Sequence, residues 1–146
     1  MRRGWSKSRA RVGAVLVAVA LTVTGCRSGT VTYVVDGDTA DVDGQRVRFI
    51  GIDTPERGQC GYIEAKNRVK ALVLGQRVTV MESPGNTSDR YGRELGYLQF
   101  GRVDVGRQLI AEGLAHARYD SRDGYPEHPR EDDYRSLDAR TRNLCE

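Results

Sequence analysis

The 146-residue sequence has no run of the roughly 20 apolar residues that a membrane-spanning helix needs. Its longest apolar run, Val12 to Val23, has twelve positions and is interrupted by Gly13 and Thr22. An ordinary transmembrane span is thereby excluded. The first 25 positions also lack any acidic residue while carrying Arg2, Arg3, Lys7, Arg9 and Arg11. A basic start followed by a short apolar run is the pattern of a secretory signal. Residues 1–25 are therefore expected to be a leader, and the single tryptophan, Trp5, belongs to it. The rest of the chain has no internal repeat, no low-complexity tract and no linker, so residues 26–146 are expected to form one domain. These 121 residues are enough for one core, since a chain of that length buries roughly 65% of its unfolded surface.

A global positive field is missing as well. The whole chain carries 23 basic and 20 acidic residues, but five of the basic ones lie in the leader, leaving 18 against 20 and a net charge of −2 for residues 26–146. A polyanion would have to be held by local arginines and a metal instead of by overall charge. The two histidines, His116 and His128, have no metal-ligand spacing and are expected to be surface or hydrogen-bonded side chains. There are three cysteines. Val23-Thr24-Gly25-Cys26 resembles a bacterial lipobox. That resemblance implies a lipidated Cys26 at the start of the mature chain and a tether to the outer face of the cytoplasmic membrane. Ordinary cleavage nearby, leaving Cys26 as a spare thiol, is the alternative. If Cys26 carries lipid, Cys60 and Cys145 remain as a pair in an oxidising compartment, where a disulfide is expected and two free thiols are the alternative.

The apolar patterning predicts strands first and then a mixture. Thr30 to Val35 is β-branched and aromatic. Asp43-Gly44 between Val42 and the run Gln45 to Ile52 is a two-residue hairpin signal, because both turn positions need φ > 0. Ala65, Val69, Leu72 and Val73 predict a helix stopped by Gly75. Arg77 to Met81 and Glu94 to Phe100 read as strands, and Val105, Leu109 and Ile110 as a helix ending at Gly113. Pro129 followed by Glu131, Asp132 and Asp133 predicts a third helix start, with Tyr134, Leu137, Thr141 and Leu144 as its inner face. About five strands and three helices indicate a small α+β domain built on an antiparallel sheet or barrel.

Three polar stretches carry candidate chemistry: Asp36-Gly37-Asp38-Thr39, Arg48 with Asp53-Thr54-Pro55-Glu56, and Asp89-Arg90-Tyr91-Gly92-Arg93. Alone, the first reads more readily as a solvated turn, the second as a capped loop with a surface ion pair, and the third as any charged turn. In order and spacing, however, "VVDGDT", "RFIGIDTPE", "DRYGR" and "LIAEGLAHARY" resemble the staphylococcal nuclease family from about Thr30 to Tyr119. The resemblance implies an OB-fold, a five-stranded antiparallel β-barrel with three α-helices. It also implies a Ca²⁺-dependent nuclease acting on DNA and RNA, endonucleolytic and leaving 3′-phosphate ends. By the same resemblance Asp38, Asp53 and the Thr54 carbonyl hold the ion, a set of hard oxygen donors suited to Ca²⁺ and not to zinc. Glu56 matches the general base, and Arg48 and Arg93 match the two phosphate-clamping arginines. Tyr91 and Tyr119 match tyrosines near the substrate, with a rim or core aromatic as the alternative for each. Asp36 is a candidate supporting carboxylate behind the ion, with a surface turn as the equal alternative. The family often has a second tyrosine two residues beyond the position of Tyr119, where this chain has Ser121.

The hairpin imposes a geometric condition on this site. A tight turn at Asp43-Gly44 sets Asp38 opposite Phe49, so Asp38 and Asp53 can share a face while Arg48 has the opposite parity. The site closes only if the strand bends between them, and Gly51 is the permissive place. The leader and lipobox imply an extracytoplasmic, membrane-anchored or otherwise secreted protein, and nothing indicates an obligate oligomer. Two rival readings share these residues: a catalytically silent nucleic-acid-binding module, and a structural lipoprotein using Ca²⁺ for stability alone.

Overall fold

The computed structural model describes residues 25–146; apart from Gly25, the expected leader lies outside the described residues. In chain order the strands are β1 (Cys26–Val34), β2 (Thr39–Val42), β3 (Gln45–Phe49), β4 (Ile52–Asp53), β5 (Arg77–Met81), β6 (Glu94–Phe100), β7 (Val103–Asp104) and β8 (His116–Ala117). The helices are α1 (Tyr62–Val73), α2 (Val105–Ala111) and α3 (Glu131–Asp138). Strands β3, β2, β1, β5 and β6 lie side by side in that order, and a pairing of β3 with β6 closes them into a five-stranded barrel. Four seams are antiparallel and the closing β3–β6 seam is parallel. With three helices packed around it, the domain is an α+β OB-fold.

β1 serves two seams. Cys26 to Thr30 pair with β5, Val31 to Val34 pair with β2, and the register shifts between Val31 and Tyr33. A bulge of this kind bends a strand and lets it change partners. The strand starts four residues ahead of the β-branched run because Arg27, Ser28 and Gly29 are held by the ladder with β5, not by local propensity. The β2–β3 hairpin turns at Asp43 (φ 51°) and Gly44 (φ 81°), pairing Val42 with Gln45 and Thr39 with Arg48. This is the predicted register.

Val31, Val34, Val42, Val47, Phe49, Val78, Val80 and Leu98 belong to the buried core. α1 adds Ala65, Val69 and Val73, and α2 adds Leu109 and Ile110. Asp104 caps α2 by accepting from the Arg107 N–H (3.1 Å). It also accepts from the buried Tyr134 hydroxyl at 2.9 and 2.8 Å, tying α3 to α2.

α3 is shorter than its apolar spacing predicts. Tyr134 and Leu137 are buried, but the helix ends at Asp138 and Leu144 is 52% exposed. The Thr141 hydroxyl donates to the Leu137 carbonyl at 2.8 Å, and Arg140 and Thr141 make tight i→i+3 bonds that wind the last turn up. The chain end then turns away, with the Leu144 N–H on the Gly113 carbonyl (2.9 Å) and Cys145 bonded to Cys60. Cys26 is a free, exposed thiol at the start of β1. Among the described residues no helix is long and apolar enough to cross a membrane.

Candidate active site

The loop between β1 and β2 presents the first carboxylates. Val35 and Asp36 both donate their N–H to the Thr39 carbonyl, at 2.9 and 3.3 Å, and the Asp38 N–H bonds Asp36 Oδ1 at 3.2 Å. A side chain at Gly37 would sit 2.8 Å from both the Ala65 Cβ and the Thr54 Oγ1, so the glycine lets this loop press against α1 and Thr54. Asp38 is 6% exposed. Its Oδ2 accepts from the Thr54 N–H (3.2 Å) and hydroxyl (3.1 Å), and its Oδ1 from the Thr39 hydroxyl (3.0 Å). These bonds fix the carboxylate's direction. Burial, followed by the charge of Asp38, pushes the Asp36 carboxyl up to about 6.

The Phe49 N–H bonds the Asp38 carbonyl at 2.8 Å, which places the two residues opposite each other. The chain then bends at Gly51, with φ 76°, a backbone conformation that favours glycine. A Cβ there would also lie 2.5 Å from the His128 ring. Past the bend, β4 pairs with β8 and carries Asp53. Arg48 does start out on the opposite parity, but its guanidinium curls back. It donates to the Phe49 and Ile52 carbonyls at 2.7 and 3.0 Å and lies 3.2 Å from Asp38 Oδ2. The Tyr119 hydroxyl donates to Asp53 Oδ1 at 3.3 Å, and its ring lies 5.5 Å from the Arg48 guanidinium.

Loops supply the remaining groups. Glu56 is exposed, with its N–H on the Gln59 side-chain oxygen at 2.7 Å. Asp89 organises the loop after β5: its Oδ1 accepts from the Tyr91 and Arg93 N–H groups (2.9 and 3.0 Å) and its Oδ2 from the Arg93 guanidinium (2.6 Å). Burial pushes Asp89 up, but these bonds outweigh it and hold the carboxyl below its ordinary value. Tyr91 is 68% exposed and stacks near Arg90 and Arg93, at 4.8 and 5.4 Å from its ring centre.

One cavity of about 590 Å³ is lined by Asp36, Asp38, Arg48, Asp53, Glu56, Tyr91, Arg93 and Tyr119. Thr54 is buried, bonded to Asp38. Cys26, Cys60 and Cys145 are not part of the lining. Residues 46–143 match the family described as "Staphylococcal nuclease homologue". The chain belongs to the staphylococcal nuclease family. It is 38% identical over 117 residues to a thermonuclease from Staphylococcus intermedius (73% of this chain, 64% of that protein). It is 37% identical over 99 residues to a thermonuclease from Staphylococcus hyicus (61% and 58%). Over 130 residues it is 32% identical to a micrococcal nuclease from Shigella flexneri (80% and 73%). The chain thus spans less than two thirds of the length of the two staphylococcal relatives.

Staphylococcal nuclease motifs in the sequence do not mark every residue at this cavity. Tyr125 and Pro126 line it too, and the Tyr125 ring meets Tyr119 edge-on at 5.3 Å. No short spacing reveals that pair, because a 3₁₀ turn at Ser121–Asp123 ending in Gly124 brings residue 125 back. Tyr119 itself has φ 61°, held by its N–H to Asp123 Oδ2 at 2.7 Å. Arg135 of α3 clamps this loop, donating to both Asp120 oxygens (Nη2 to Oδ1, 2.8 Å) and to Asp123 Oδ2 (2.6 Å). Asp120, His128 and Glu131 lie close enough together to suggest a second cation site. Their carboxylates are already engaged, Asp120 by Arg135 and Glu131 by the Ser121 hydroxyl and N–H, so the cluster is a structural lock. His128 is buried, its Nδ1 bonded to the Tyr97 hydroxyl at 2.8 Å, and burial lowers its pKa. His116 is half exposed and pairs with Asp138 at 3.2 Å.

Proposed function

We propose that this chain is an extracytoplasmic nuclease that hydrolyses phosphodiester bonds of DNA and RNA with the help of Ca²⁺, cutting internally and leaving 3′-phosphate ends. The observation that carries the reading is the convergence of Asp38, Asp53, Arg48, Glu56 and Arg93 on one open cavity. A binding module has no use for a carboxylate cage facing a free glutamate.

The donor set fits a hard cation. Asp38, Asp53 and the Thr54 carbonyl offer oxygen only, and burial, with the charge of Asp38 added to it, already pushes Asp36 towards its protonated form. A divalent cation relieves that repulsion. When bound, Ca²⁺ supplies Lewis-acid polarisation of the phosphoryl group. Glu56, exposed and without a charged partner among the described residues, takes the proton of the attacking water, a contribution of roughly 10²–10⁴-fold for a positioned base. Arg48 and Arg93 offer planar paired donors to the phosphate oxygens as charge builds up on them. Arg93 exchanges its Asp89 partner for the substrate in doing so. Tyr119 and Tyr91 provide rings at the rim for a base or sugar.

The free, exposed Cys26 at the start of β1 supports a lipid anchor, which would hold the enzyme on the outer face of the membrane; otherwise the protein is secreted. A monomer suffices, because every proposed group comes from one chain. The test of the chemistry is an end-group analysis of a labelled oligonucleotide cut in Ca²⁺. Fragments whose 3′ ends are blocked to extension until phosphatase treatment are expected. Freely extendable 3′ ends would contradict the assignment of the leaving group.

A further inference from the structure

We propose that one flank of α1, together with Arg57, is an accessory track for the polynucleotide strand flanking the cleaved bond, so that this chain prefers long substrates over short ones. The inference rests on the nuclease reading for its substrate class. A second, shallow groove of about 580 Å³ opens along α1, lined by Arg57, Tyr62, Ile63, Lys66 and Lys70 among others, and no carboxylate lines it. Of the 18 basic residues in 26–146, nine are ion-paired, and all nine of those are arginines. Lys66 and Lys70 are the only two lysines in this region. Among the described residues neither they nor Arg57 has an acidic partner. Three uncompensated cations therefore share one groove in a domain whose net charge is −2.

The helix explains the alignment. Ala65, Val69 and Val73 face the core, and Ile63, Lys66 and Lys70 recur at i, i+3 and i+7 along one flank beside that face. The two ammonium groups stand one turn apart, roughly 6 Å along the axis, and so can meet neighbouring phosphates of one strand. Tyr62 and Ile63 provide apolar surface between the charges: Ile63 is 58% exposed, and the Lys66 Nζ lies 5.9 Å from the Tyr62 ring centre. Cations interleaved with an aromatic suit single-stranded nucleic acid, where phosphates are neutralised and bases stack. The groove begins one residue along the chain from the candidate active site, since Arg57 lines the groove and Glu56 the cavity.

The experiment compares the parent protein with the triple variant Arg57→Ala, Lys66→Ala, Lys70→Ala. A second triple variant, Arg77→Ala, Arg102→Ala, Arg142→Ala, removes the same charge from exposed, unpaired positions elsewhere. Substrates are a 30-nucleotide single strand and a nitrophenyl phosphodiester of one nucleotide, both in Ca²⁺. For the groove variant, KM on the long strand should rise about tenfold or more at low salt. The slope of log KM against log salt should flatten by about 2, at roughly 0.7 per lost phosphate contact. Its kcat/KM on the small diester should stay at the parent value, and the control variant should match the parent on both. Equal losses in the two variants, or no loss in the groove variant, overturn the proposal. If the parent cleaves neither substrate, the nuclease reading falls, and binding of a fluorescent strand in chelator decides on the groove alone. Weaker binding confined to the groove variant supports the track, and equal binding by all three proteins refutes it.

Discussion

Replacing Asp36 by asparagine tests the electrostatics of the candidate metal site without touching a proposed ligand. In metal-free protein, burial and the charge of Asp38 push the Asp36 carboxyl to about 6, against an unfolded value of about 3.9. The folded chain thus binds this proton more tightly than the unfolded chain does. Its contribution to stability is complete below about pH 4 and is lost as pH rises to about 6. A shift of about two units corresponds to about 3 kcal/mol, at 1.36 kcal/mol per unit. Because Asp36 is only partly buried, solvent screening reduces this to about 1–2 kcal/mol. Asparagine keeps the oxygen that accepts the Asp38 N–H and removes the charge. Urea unfolding of parent and Asp36→Asn, both stripped of metal, should give similar stabilities at pH 4. At pH 7 the variant should be more stable by about 1–2 kcal/mol. Added Ca²⁺ should then stabilise the parent more than the variant, because the cation replaces the lost proton as the compensating charge. A difference that stays constant from pH 4 to 7, or a variant that is less stable at pH 7, would refute the reasoning.

The disulfide and the loop clamp give two further tests. Cys60 and Cys145 are 85 positions apart, so removing the bridge (Cys60→Ser with Cys145→Ser) should cost up to about 4–5 kcal/mol in the chain-entropy account. Tm should fall by about 8–18 °C, and a fall under about 3 °C by calorimetry would contradict it. Arg135→Ala leaves Asp120, which is 1% exposed, without its principal partner. A loss of about 3 kcal/mol is expected, moderated by Arg122 at 3.9 Å. Because the same arginine holds the loop carrying Tyr119, KM for a single strand should rise as well; unchanged stability and KM together would remove Arg135 from this role.

Much of the barrel was legible because its signals are local. Asp43-Gly44 fixes the hairpin, and with it the register that sets Asp38 opposite Phe49. Arg77–Met81 alternates, and both it and Glu94–Phe100 form strands with the predicted bounds. The gathering of Asp38, Arg48 and Asp53 depends on a bend, and the sequence offered Gly51 as the place. The reason for the bend lies 77 positions away, in the His128 ring packed against Gly51. Side-chain length also mattered: parity sends Arg48 away from the cavity, whereas its long side chain curls back onto the Phe49 and Ile52 carbonyls.

The misses are all non-local. The first half of β1 has little β propensity and exists through its pairing with β5. The end of α3 follows from a Thr141 side-chain bond and the Cys60–Cys145 tether, neither of which apolar periodicity encodes. Tyr125 and the Asp120–Arg135 clamp depend on a folded-back loop between α2 and α3. His128 carried no motif, yet it is the buried wedge at the bend. The groove along α1 was hidden because a net charge of −2 averages over one small basic face.

The most direct test of the central claim is single-strand DNA cleavage by the purified protein in excess Ca²⁺ and then in chelator, beside Glu56→Ser as the control for a contaminating nuclease. Cleavage that chelator abolishes and that falls by roughly 10²-fold or more in the variant is the predicted result. A folded, Ca²⁺-binding protein that cuts nothing, or a variant as active as the parent, would contradict it.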